Sequence, residues 1–188
     1  MEVLNKIELR LKIEEVIKRI DQGAVFIHPT DTIYGLGCNA LDKKAVDKIR
    51  KLKERPDMPL SVWAPSLEWI KENCVVDKKA ETCLAQLPGP YTLILKLKNK
   101  NSIAENVAPG KNTIGVRLPD HWFGNIVKIM KVPFVTTSAN RSGQPFMTSK
   151  EDADPEVTKG VEFMVYEGEL KGKPSKIIDL VKGKIKER

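Results

Sequence analysis

The sequence contains few of the residues from which metal centres and disulfide frameworks are built. Its 188 residues include two histidines, His28 and His121, and three cysteines, Cys38, Cys74 and Cys83. The cysteine count is odd, and no pair has the spacing of metal ligands or of a redox motif. We therefore interpret the cysteines as reduced thiols that fill the core, and we do not expect a structural zinc site.

Long apolar runs are also missing. No stretch approaches the roughly 20 apolar residues that a membrane-spanning helix needs. The first twenty residues, MEVLNKIELRLKIEEVIKRI, mix charged and apolar side chains and lack the apolar core of a signal peptide. We expect no contact with a membrane and a cytoplasmic location.

Several familiar catalytic patterns are absent as well. The chain has no P-loop, no dinucleotide-binding glycine pattern, no H-E-x-x-H, no evident Ser-His-Asp order and no carboxylate cluster suited to two metals. A reaction served by this set of side chains depends on positioning and charge stabilisation more than on a strong general base.

The charge balance points towards anionic ligands. The formal net charge is +7 and the isoelectric point is near 9.2, which favours contact with nucleotides or RNA. Many of the lysines fall in helical and terminal segments, where a solvated face is the usual explanation. Aromatic residues make up only 6% of the chain and form no stacking cluster, which argues against direct reading of RNA bases.

The pattern of apolar residues predicts a chain of alternating helices and strands. Helices are expected over residues 6–22, ended by Gly23, and from Asp42 to about Arg55. Further helical segments are expected from Ser66 to about Gln86 in two pieces, after Asp120 as N-cap, and after a Ser149–Asp152 capping pair. The predicted strands are AVFIHP, PLSVWA, PGPYTLILKLK, NTIGVRLP, VPFVTTSAN, VEFMVYEG and KIIDLV. This mixture predicts one α/β or α+β domain around a twisted, mixed sheet.

Two strings offer a matched set of polar side chains. KLKERPDMPL contains Lys53 and Arg55, and TTSANRSGQP contains Ser138 and Asn140 in the same i, i+2 spacing. Two cations and two small hydrogen-bonding groups suit a ligand that carries phosphate. If residues 53–55 run extended towards Pro56, both cations point to one side; the alternative is two solvated charges at a helix end.

Two further segments are candidates for a binding site. In HPTDTIYGLG, hydroxyls and Asp31 follow a strand, and Gly35 and Gly37 allow close backbone approach; a simple turn explains the string equally well. Arg117 ends an apolar strand and needs an anionic partner, either a substrate carboxylate or an internal acidic residue. Thr136 lies two residues before Ser138, on the same face of its strand.

Six strings, HPTDTIYGLG, KxRP…PLSV, LPGPYTLIL, TIGVRLP, SANRSGQP and PSKIIDL, occur in the order seen in the YrdC family. The chain resembles this family over roughly residues 10–181 and is similar to its short form. The resemblance implies an α/β fold of the YrdC/RibB-like type: a twisted mixed sheet flanked by helices, with a concave, positively lined cavity. Residues 1–188 would then form a single YrdC-like domain.

The resemblance also implies an activity, that of a threonylcarbamoyl-AMP synthase, a nucleotidyltransferase. Such an enzyme condenses L-threonine, bicarbonate and ATP to threonylcarbamoyl-adenylate and pyrophosphate, with Mg²⁺ expected beside the ATP. Its product is the donor for the threonylcarbamoyl-adenosine modification of tRNA. The partners that the family suggests are tRNA or double-stranded RNA, and the tRNA threonylcarbamoyl-transfer complex.

Site residues follow from the same resemblance, position by position. Lys53 and Arg55 match the catalytic cations, which would neutralise charge that develops on the phosphates. The positions that match ATP ligands are Lys53, Arg55, Thr113, Ser138, Asn140 and Arg188. The positions that match L-threonine ligands are Thr32, Arg117, Thr136 and Ser175, with Arg117 taking the carboxylate.

The chain departs from the family pattern at two places. Only Asp57 and Met58 separate Arg55-Pro56 from Pro59-Leu60, where relatives commonly carry three residues. A side chain that might touch ATP from this loop therefore has no equivalent here. Trp63 stands near a place where some relatives offer a polar group to threonine, and it either narrows the amino-acid pocket or packs into the core.

Two other functions are compatible with parts of the sequence. A non-catalytic RNA-binding or ribosome-assembly module would use the net positive charge. Carbamoyl-adenylate formation, as in the related domain of hydrogenase-maturation proteins, would use the same phosphate ligands without threonine. The chain lacks the zinc-finger cysteines and the partner domain of those maturation proteins.

Overall fold

The computed structural model of the chain describes residues 1–186, and they are organised around one mixed sheet of ten strands. The strands are β1 Glu2–Leu4, β2 Phe26–His28, β3 Gly35–Asn39, β4 Ser61–Trp63, β5 Tyr91–Lys96, β6 Thr113–Arg117, β7 Phe134–Ser138, β8 Phe163–Val165, β9 Lys176–Asp179 and β10 Lys184–Lys186. Their order across the sheet is β1-β8-β2-β3-β7-β4-β6-β5-β9-β10. Four neighbouring pairs are parallel (β1–β8, β2–β8, β4–β6 and β5–β9) and the other five are antiparallel, which confirms the predicted mixed sheet.

Seven α-helices connect and flank these strands. They are α1 Lys6–Leu11, α2 Ile13–Asp21, α3 Lys43–Leu52, α4 Leu67–Asn73, α5 Lys78–Leu84, α6 Gly124–Met130 and α7 Pro155–Lys159. Two 3₁₀ turns, Lys100–Ser102 and Glu105–Val107, lie between β5 and β6. The Asp42 side chain accepts the amides of Lys44 and Ala45, so it caps α3 as predicted. The predicted two-piece helical segment is confirmed as α4 and α5. Among the described residues, no helix is long and apolar enough to cross a bilayer.

Some predicted helix boundaries are wrong. The single helix expected over residues 6–22 is broken at Lys12, whose φ of −105° and ψ of 21° depart from helical geometry. Asp120 does not cap α6, which begins four residues later behind Phe123. Ser149 and Asp152 form a polar turn in which the Asp152 carboxylate accepts local hydroxyls and amides. The following helix, α7, is instead capped by Asp154.

The strand register determines which side chains share a face of the sheet. His28 lies opposite Gly35, which lies opposite Ser138, so these three positions point the same way. Thr136 pairs with both Gly37 and Ser61, and Ser61 pairs with Gly115, which extends this face across the middle of the sheet. The opposite face carries apolar residues such as Leu36 and Val135, and α2 and α3 pack against β3.

The face defined by His28, Thr136 and Ser61 has two chemically different halves. Towards β8 it is aromatic: Phe26 stacks on Phe163 with 5.0 Å between ring centroids, and His28 stacks on Phe123 at the same distance. Trp63 is 1% exposed and packs against His28 and Phe123, so it belongs to the core. Towards β5 the face carries hydroxyl-bearing side chains and glycine, and there it is open.

Candidate functional site

Two adjoining cavities lie over the open half of the sheet. The inner one measures about 40 Å³ and the outer one about 760 Å³. They share one wall, formed by Arg55, Pro59, Leu60, Ser61 and Thr92. The inner cavity is lined mainly by hydroxyl groups and two guanidinium groups, those of Thr32, Arg55, Ser61, Thr92, Arg117, Thr136, Ser138 and Ser175. Such a lining suits a small ligand that carries carboxylate or phosphate oxygens.

Lys53 joins the two strings that the sequence singled out. Its side chain is 2% exposed, and its Nζ donates to the carbonyl oxygens of Ser138 at 2.6 Å and of Asn140 at 2.7 Å. The Asn140 Oδ1 lies 3.2 Å from the same Nζ. The Lys53 carbonyl in turn accepts the amide of Ser142 at 3.1 Å. Lys53 therefore holds the loop that follows β7 against the end of α3.

The segment from Lys53 to Arg55 is not extended, which corrects the geometry considered from the sequence. Lys53 keeps helical angles as the C-cap of α3, and Glu54 turns the chain with a φ of 51°. This left-handed residue occupies a position where glycine is usual. The solvated helix end considered as the alternative is also wrong for Lys53, which is buried. The turn directs Arg55 into the wall that both cavities share.

Arg117 lies on the other side of the inner cavity. Arg117 is 7% exposed, and its Nη2 donates to Asp31 Oδ1 at 2.8 Å and to Thr32 Oγ1 at 3.2 Å. The second Asp31 oxygen accepts the amide of Asp120 at 3.1 Å. The internal acid that the sequence left open as a partner for Arg117 is therefore Asp31. A buried pair with additional hydrogen bonds holds the guanidinium in a fixed orientation.

The ten-residue connection from β8 to β9, residues 166–175, crosses over the inner cavity; we call it the strap. The Tyr34 hydroxyl donates to the Gly168 carbonyl at 2.7 Å and accepts the Glu167 amide at 3.1 Å. Burial raises the pKa of Tyr34 to about 12, so the phenol keeps the proton that it donates. At the end of the strap, the Ser175 and Thr92 hydroxyls lie 2.7 Å apart. The strap thus brings Ser175 to the cavity.

Gly35 and Gly37 make room for a side chain of the protein itself. A Cβ at either position would lie 2.9 Å from atoms of the His28 ring, closer than any carbon tolerates. His28 Nδ1 lies 3.1 Å from the Pro29 carbonyl, which can only accept, so we assign the proton to Nδ1. Complete burial lowers the pKa of His28 to about 3, and the imidazole is neutral. The close approach predicted at these glycines is therefore that of His28 and Phe26.

The structure brings most of the residues predicted for the site into one region. Thr32, Arg55, Arg117, Thr136, Ser138 and Ser175 line the inner cavity. Thr113 lines the outer cavity. Asn140 lines neither cavity, and its carbonyl accepts a hydrogen bond from the buried Lys53. Arg188 lies outside the described residues. All of the predicted site residues that the structure describes, residues 1–186, therefore lie in this one region.

Sequence reasoning did not select three residues of this region. Ser61 and Thr92 line both cavities, and strand alternation could have placed them beside Thr136 and Arg117. Arg50 is 7% exposed and lies beneath the loop after Arg55. Because it follows Val46 by four residues, helical periodicity could have placed it on the buried face of α3.

Within residues 1–186, no group of three or more His, Cys, Asp or Glu side chains is arranged to hold a metal ion. The arrangement can hold anionic oxygens between two guanidinium groups and orient hydroxyl-bearing ligands. It offers no cationic histidine for acid catalysis, because His28 is neutral and enclosed.

Comparisons with known proteins agree on one family. The family model named Sua5_yciO_yrdC, described as "Telomere recombination", matches residues 18–187. The chain is 38% identical over 185 residues to a putative threonylcarbamoyl-AMP synthase of Methanocaldococcus jannaschii, covering 97% of this chain and 86% of that protein. It is 33% identical over 184 residues to the threonylcarbamoyl-AMP synthase of Pyrococcus abyssi, covering 93% of this chain and 54% of that one.

A solved structure supports the same relationship. The crystal structure of Pyrococcus abyssi Sua5 in complex with L-threonine superposes with a TM-score of 0.83 at 30% identity. The match covers 95% of this chain and 54% of the other, so the chain spans about half the length of that relative.

Proposed function

The chain belongs to the Sua5/YciO/YrdC family, and we propose that it is a threonylcarbamoyl-AMP synthase. It would act as a nucleotidyltransferase that joins L-threonine, bicarbonate and ATP into threonylcarbamoyl-adenylate and releases pyrophosphate. The observation that carries this proposal is the shared wall of the two cavities. Arg55 borders both of them, so a small amino acid on one side and a nucleotide on the other could meet there.

The inner cavity is the proposed threonine site. Arg117 would take the substrate carboxylate, while Asp31 keeps the guanidinium oriented. Three further residues, Thr32, Thr136 and Ser175, offer hydroxyl groups to the amino acid. The hydroxyl pair of Ser175 and Thr92 supplies one donor and one acceptor, which suits the substrate hydroxyl.

The outer cavity is the proposed ATP site. Thr113 lies in its lining, Arg55 borders both cavities, and Ser138 lines the inner one. Lys53 and Asn140 form the base of the loop that follows Ser138, and the Lys53 ammonium adds positive charge beneath the phosphates. Arg188 remains a proposed ATP ligand on the family resemblance alone. Mg²⁺ is proposed to bind together with ATP, coordinated by its phosphate oxygens.

The proposed reaction has two steps. The threonine amine attacks the carbon of bicarbonate and water leaves, which gives a carbamate. A carbamate oxygen then attacks the α-phosphorus of ATP, the bond to the β-phosphate oxygen breaks, and pyrophosphate leaves. Charge grows on the phosphate oxygens in the second step, and one well-placed cationic donor at that point contributes about 3–4 kcal/mol. Arg55 and Lys53 are the proposed source of this stabilisation.

Three predictions made from the sequence stay proposals alongside this activity. We treat residues 1–188 as one YrdC-like domain, supported by a single sheet that includes strands from β1 to β10. A cytoplasmic location, and contact with tRNA or with the tRNA threonylcarbamoyl-transfer complex, likewise remain predictions.

The test is a product analysis. Purified protein is incubated with ATP, Mg²⁺, bicarbonate and one amino acid at a time, and products are identified by mass. We expect pyrophosphate and an adenylate only with L-threonine. A parallel reaction replaces threonine and bicarbonate with carbamoyl phosphate. An adenylate formed there, and not with threonine, would reject the proposal in favour of carbamoyl-adenylate formation.

A further inference from the structure

The loop after Arg55 turns its carbonyl groups inward onto one buried side chain. The Nη1 of Arg50 donates to the carbonyl oxygens of Arg55 at 2.9 Å, Pro56 at 2.7 Å and Met58 at 3.1 Å. Three of the four consecutive carbonyls from residue 55 to residue 58 therefore converge on a single guanidinium nitrogen. This is the loop that is shorter here than in the family pattern.

The same guanidinium fastens the loop to a second element. Its Nε donates to the Asn106 carbonyl at 2.6 Å and its Nη2 to the Val107 carbonyl at 3.2 Å. The Val107 carbonyl also accepts the amide of Leu60 at 2.9 Å, at the far end of the loop. Arg50 and the 3₁₀ turn at Glu105–Val107 thus hold both ends of the loop.

Arg55 is bound to Arg50 through both of its backbone groups. The Arg55 amide donates to the Arg50 carbonyl at 3.0 Å, and the Arg55 carbonyl accepts from the Arg50 side chain. The position of the Arg55 backbone is therefore set by Arg50. Because Arg55 borders both cavities and Pro59, Leu60 and Ser61 continue the wall, a shift of this loop moves one wall of the site.

We propose that Arg50 is a positioning residue for the nucleotide site: it sets the place of Arg55 and gives the short loop a fixed shape. This inference rests on the proposed function, in which Arg55 binds ATP phosphates. Arg50 is 7% exposed and lines neither the inner nor the outer cavity, so it acts through the loop and not by touching the nucleotide.

An arginine is needed for this role. Five carbonyl oxygens surround the side chain, and a planar guanidinium presents N–H donors from three nitrogens in a fixed fork, with the two hydrogens of Nη1 shared among three carbonyls. A lysine presents three donors from one point and cannot reach Asn106 and Met58 together. Arg50→Lys therefore keeps the charge and loses the geometry, and Arg50→Met loses both.

The experiment measures ATP and threonine binding separately by calorimetry, using the wild type, R50M, R50K and the exposed neighbour variant K51M. A displacement of a positioned group by about 1 Å can cost roughly 100-fold. We expect ATP binding to weaken about 10- to 100-fold in R50M and about 10-fold in R50K. Threonine affinity should fall less than ATP affinity, because the proposed threonine ligands lie outside this loop, and K51M should resemble the wild type.

A double-mutant cycle separates positioning from general destabilisation. If Arg50 acts through Arg55, R50M should weaken ATP binding by no more than about threefold when Arg55 is already replaced by Met. An equal loss with and without Arg55, or an equal loss of ATP and threonine binding, would overturn the inference. If R50M does not fold, R50K decides by the same criteria.

The proposed function and this inference can fail independently. A wild-type protein that binds ATP and makes no threonine-dependent adenylate would reject the proposed activity. The role of Arg50 would still be judged by ATP affinity alone, and unchanged ATP affinity in R50M and R50K would reject it.

Discussion

At the scale of single residues, Lys53 shows how a buried charge can organise a binding site. Its ammonium group satisfies carbonyl groups of the loop that follows β7. Removing it leaves those carbonyls without their donor in a buried place, which costs about 1–3 kcal/mol. The same change lets Ser138 move relative to Arg55.

We therefore predict two effects of Lys53→Met. Turnover of threonine-dependent pyrophosphate release should fall about 100-fold, as for the loss of one well-placed donor. The free energy of unfolding in urea should fall by about 1–3 kcal/mol. The variant K51M, changed on the exposed side of the same helix, serves as the control. Unchanged turnover in K53M would remove Lys53 from the catalytic machinery.

His28 makes a prediction about pH. Its pKa is lowered to about 3 in the folded protein from an ordinary value of 6.5. Between these two pH values the unfolded chain binds one more proton than the folded chain, so acid favours unfolding. The stability contributed by neutral His28 is complete above pH 6.5 and is lost as the pH falls. At pH 5.5 the loss is about 1.4 kcal/mol.

Urea unfolding at pH 7.5 and pH 5.5 measures this effect. The wild type should lose about 1.4 kcal/mol more than His28→Phe over this interval, since phenylalanine does not titrate. The comparison uses the difference between two pH values, so any constant packing cost of the phenylalanine cancels. Equal losses in both proteins would show that folding does not lower the pKa of His28.

At the scale of elements, the sequence predicted those helices and strands that depend on interactions between residues close together in the chain. Helix α3 was found with its Asp42 cap because capping depends on neighbouring residues. Strand β3 was missed because Gly35 and Gly37 have low strand propensity, and the need for glycine there comes from the His28 ring on the neighbouring strand. The turn at Glu54 could not be predicted either. Its φ of 51° is left-handed, and glutamate, unlike glycine, does not indicate a left-handed conformation.

The candidate site shows the same division. Family motifs indicated Lys53, Arg55, Ser138 and Asn140, and the structure brings them together. The pairing of Arg117 with Asp31 could not be chosen over other acids, because these residues are 86 positions apart in the chain. The carbonyl cluster around Arg50 could not be predicted, because every residue has a backbone carbonyl and the sequence does not indicate which of them converge.

The strap provides a prediction that belongs to an element. A Cβ on Gly172 would lie 2.0 Å from the Thr32 carbonyl oxygen, so the strap packs directly on the turn that carries Thr32. Gly172→Ala must push the strap away from this turn and with it Ser175. We expect the KM for threonine to rise about 10-fold, with the KM for ATP within about twofold, consistent with displacement of positioning groups.

Lys173→Ala is the matched control, because Lys173 lies on the same strap with its side chain exposed. It should leave both KM values within about twofold, since an exposed lysine contributes little to the packing of the strap. A rise in the KM for ATP as large as that for threonine in G172A would contradict a local role of the strap at the amino-acid site.

At the scale of the whole molecule, one face of the sheet is divided between packing and binding. The aromatic half is closed by Phe123 and Trp63, while the other half carries small and hydroxyl-bearing residues below the cavities. This division localises the proposed chemistry near the middle of the sheet.

The salt dependence of binding distinguishes the proposed enzyme from an RNA-binding module. ATP held in a pocket by a few partly buried contacts is weakly screened, so its affinity should fall less than about 10-fold between 50 and 200 mM KCl. RNA held by six to ten phosphate contacts would lose roughly 1,000-fold or more over the same range. Arg55→Met should weaken ATP binding strongly. It should weaken RNA binding only by the share of one phosphate contact among several. If RNA instead binds more tightly than ATP at 200 mM KCl and no threonine-dependent adenylate forms, the non-catalytic alternative is favoured, because surface charge would then determine the principal ligand.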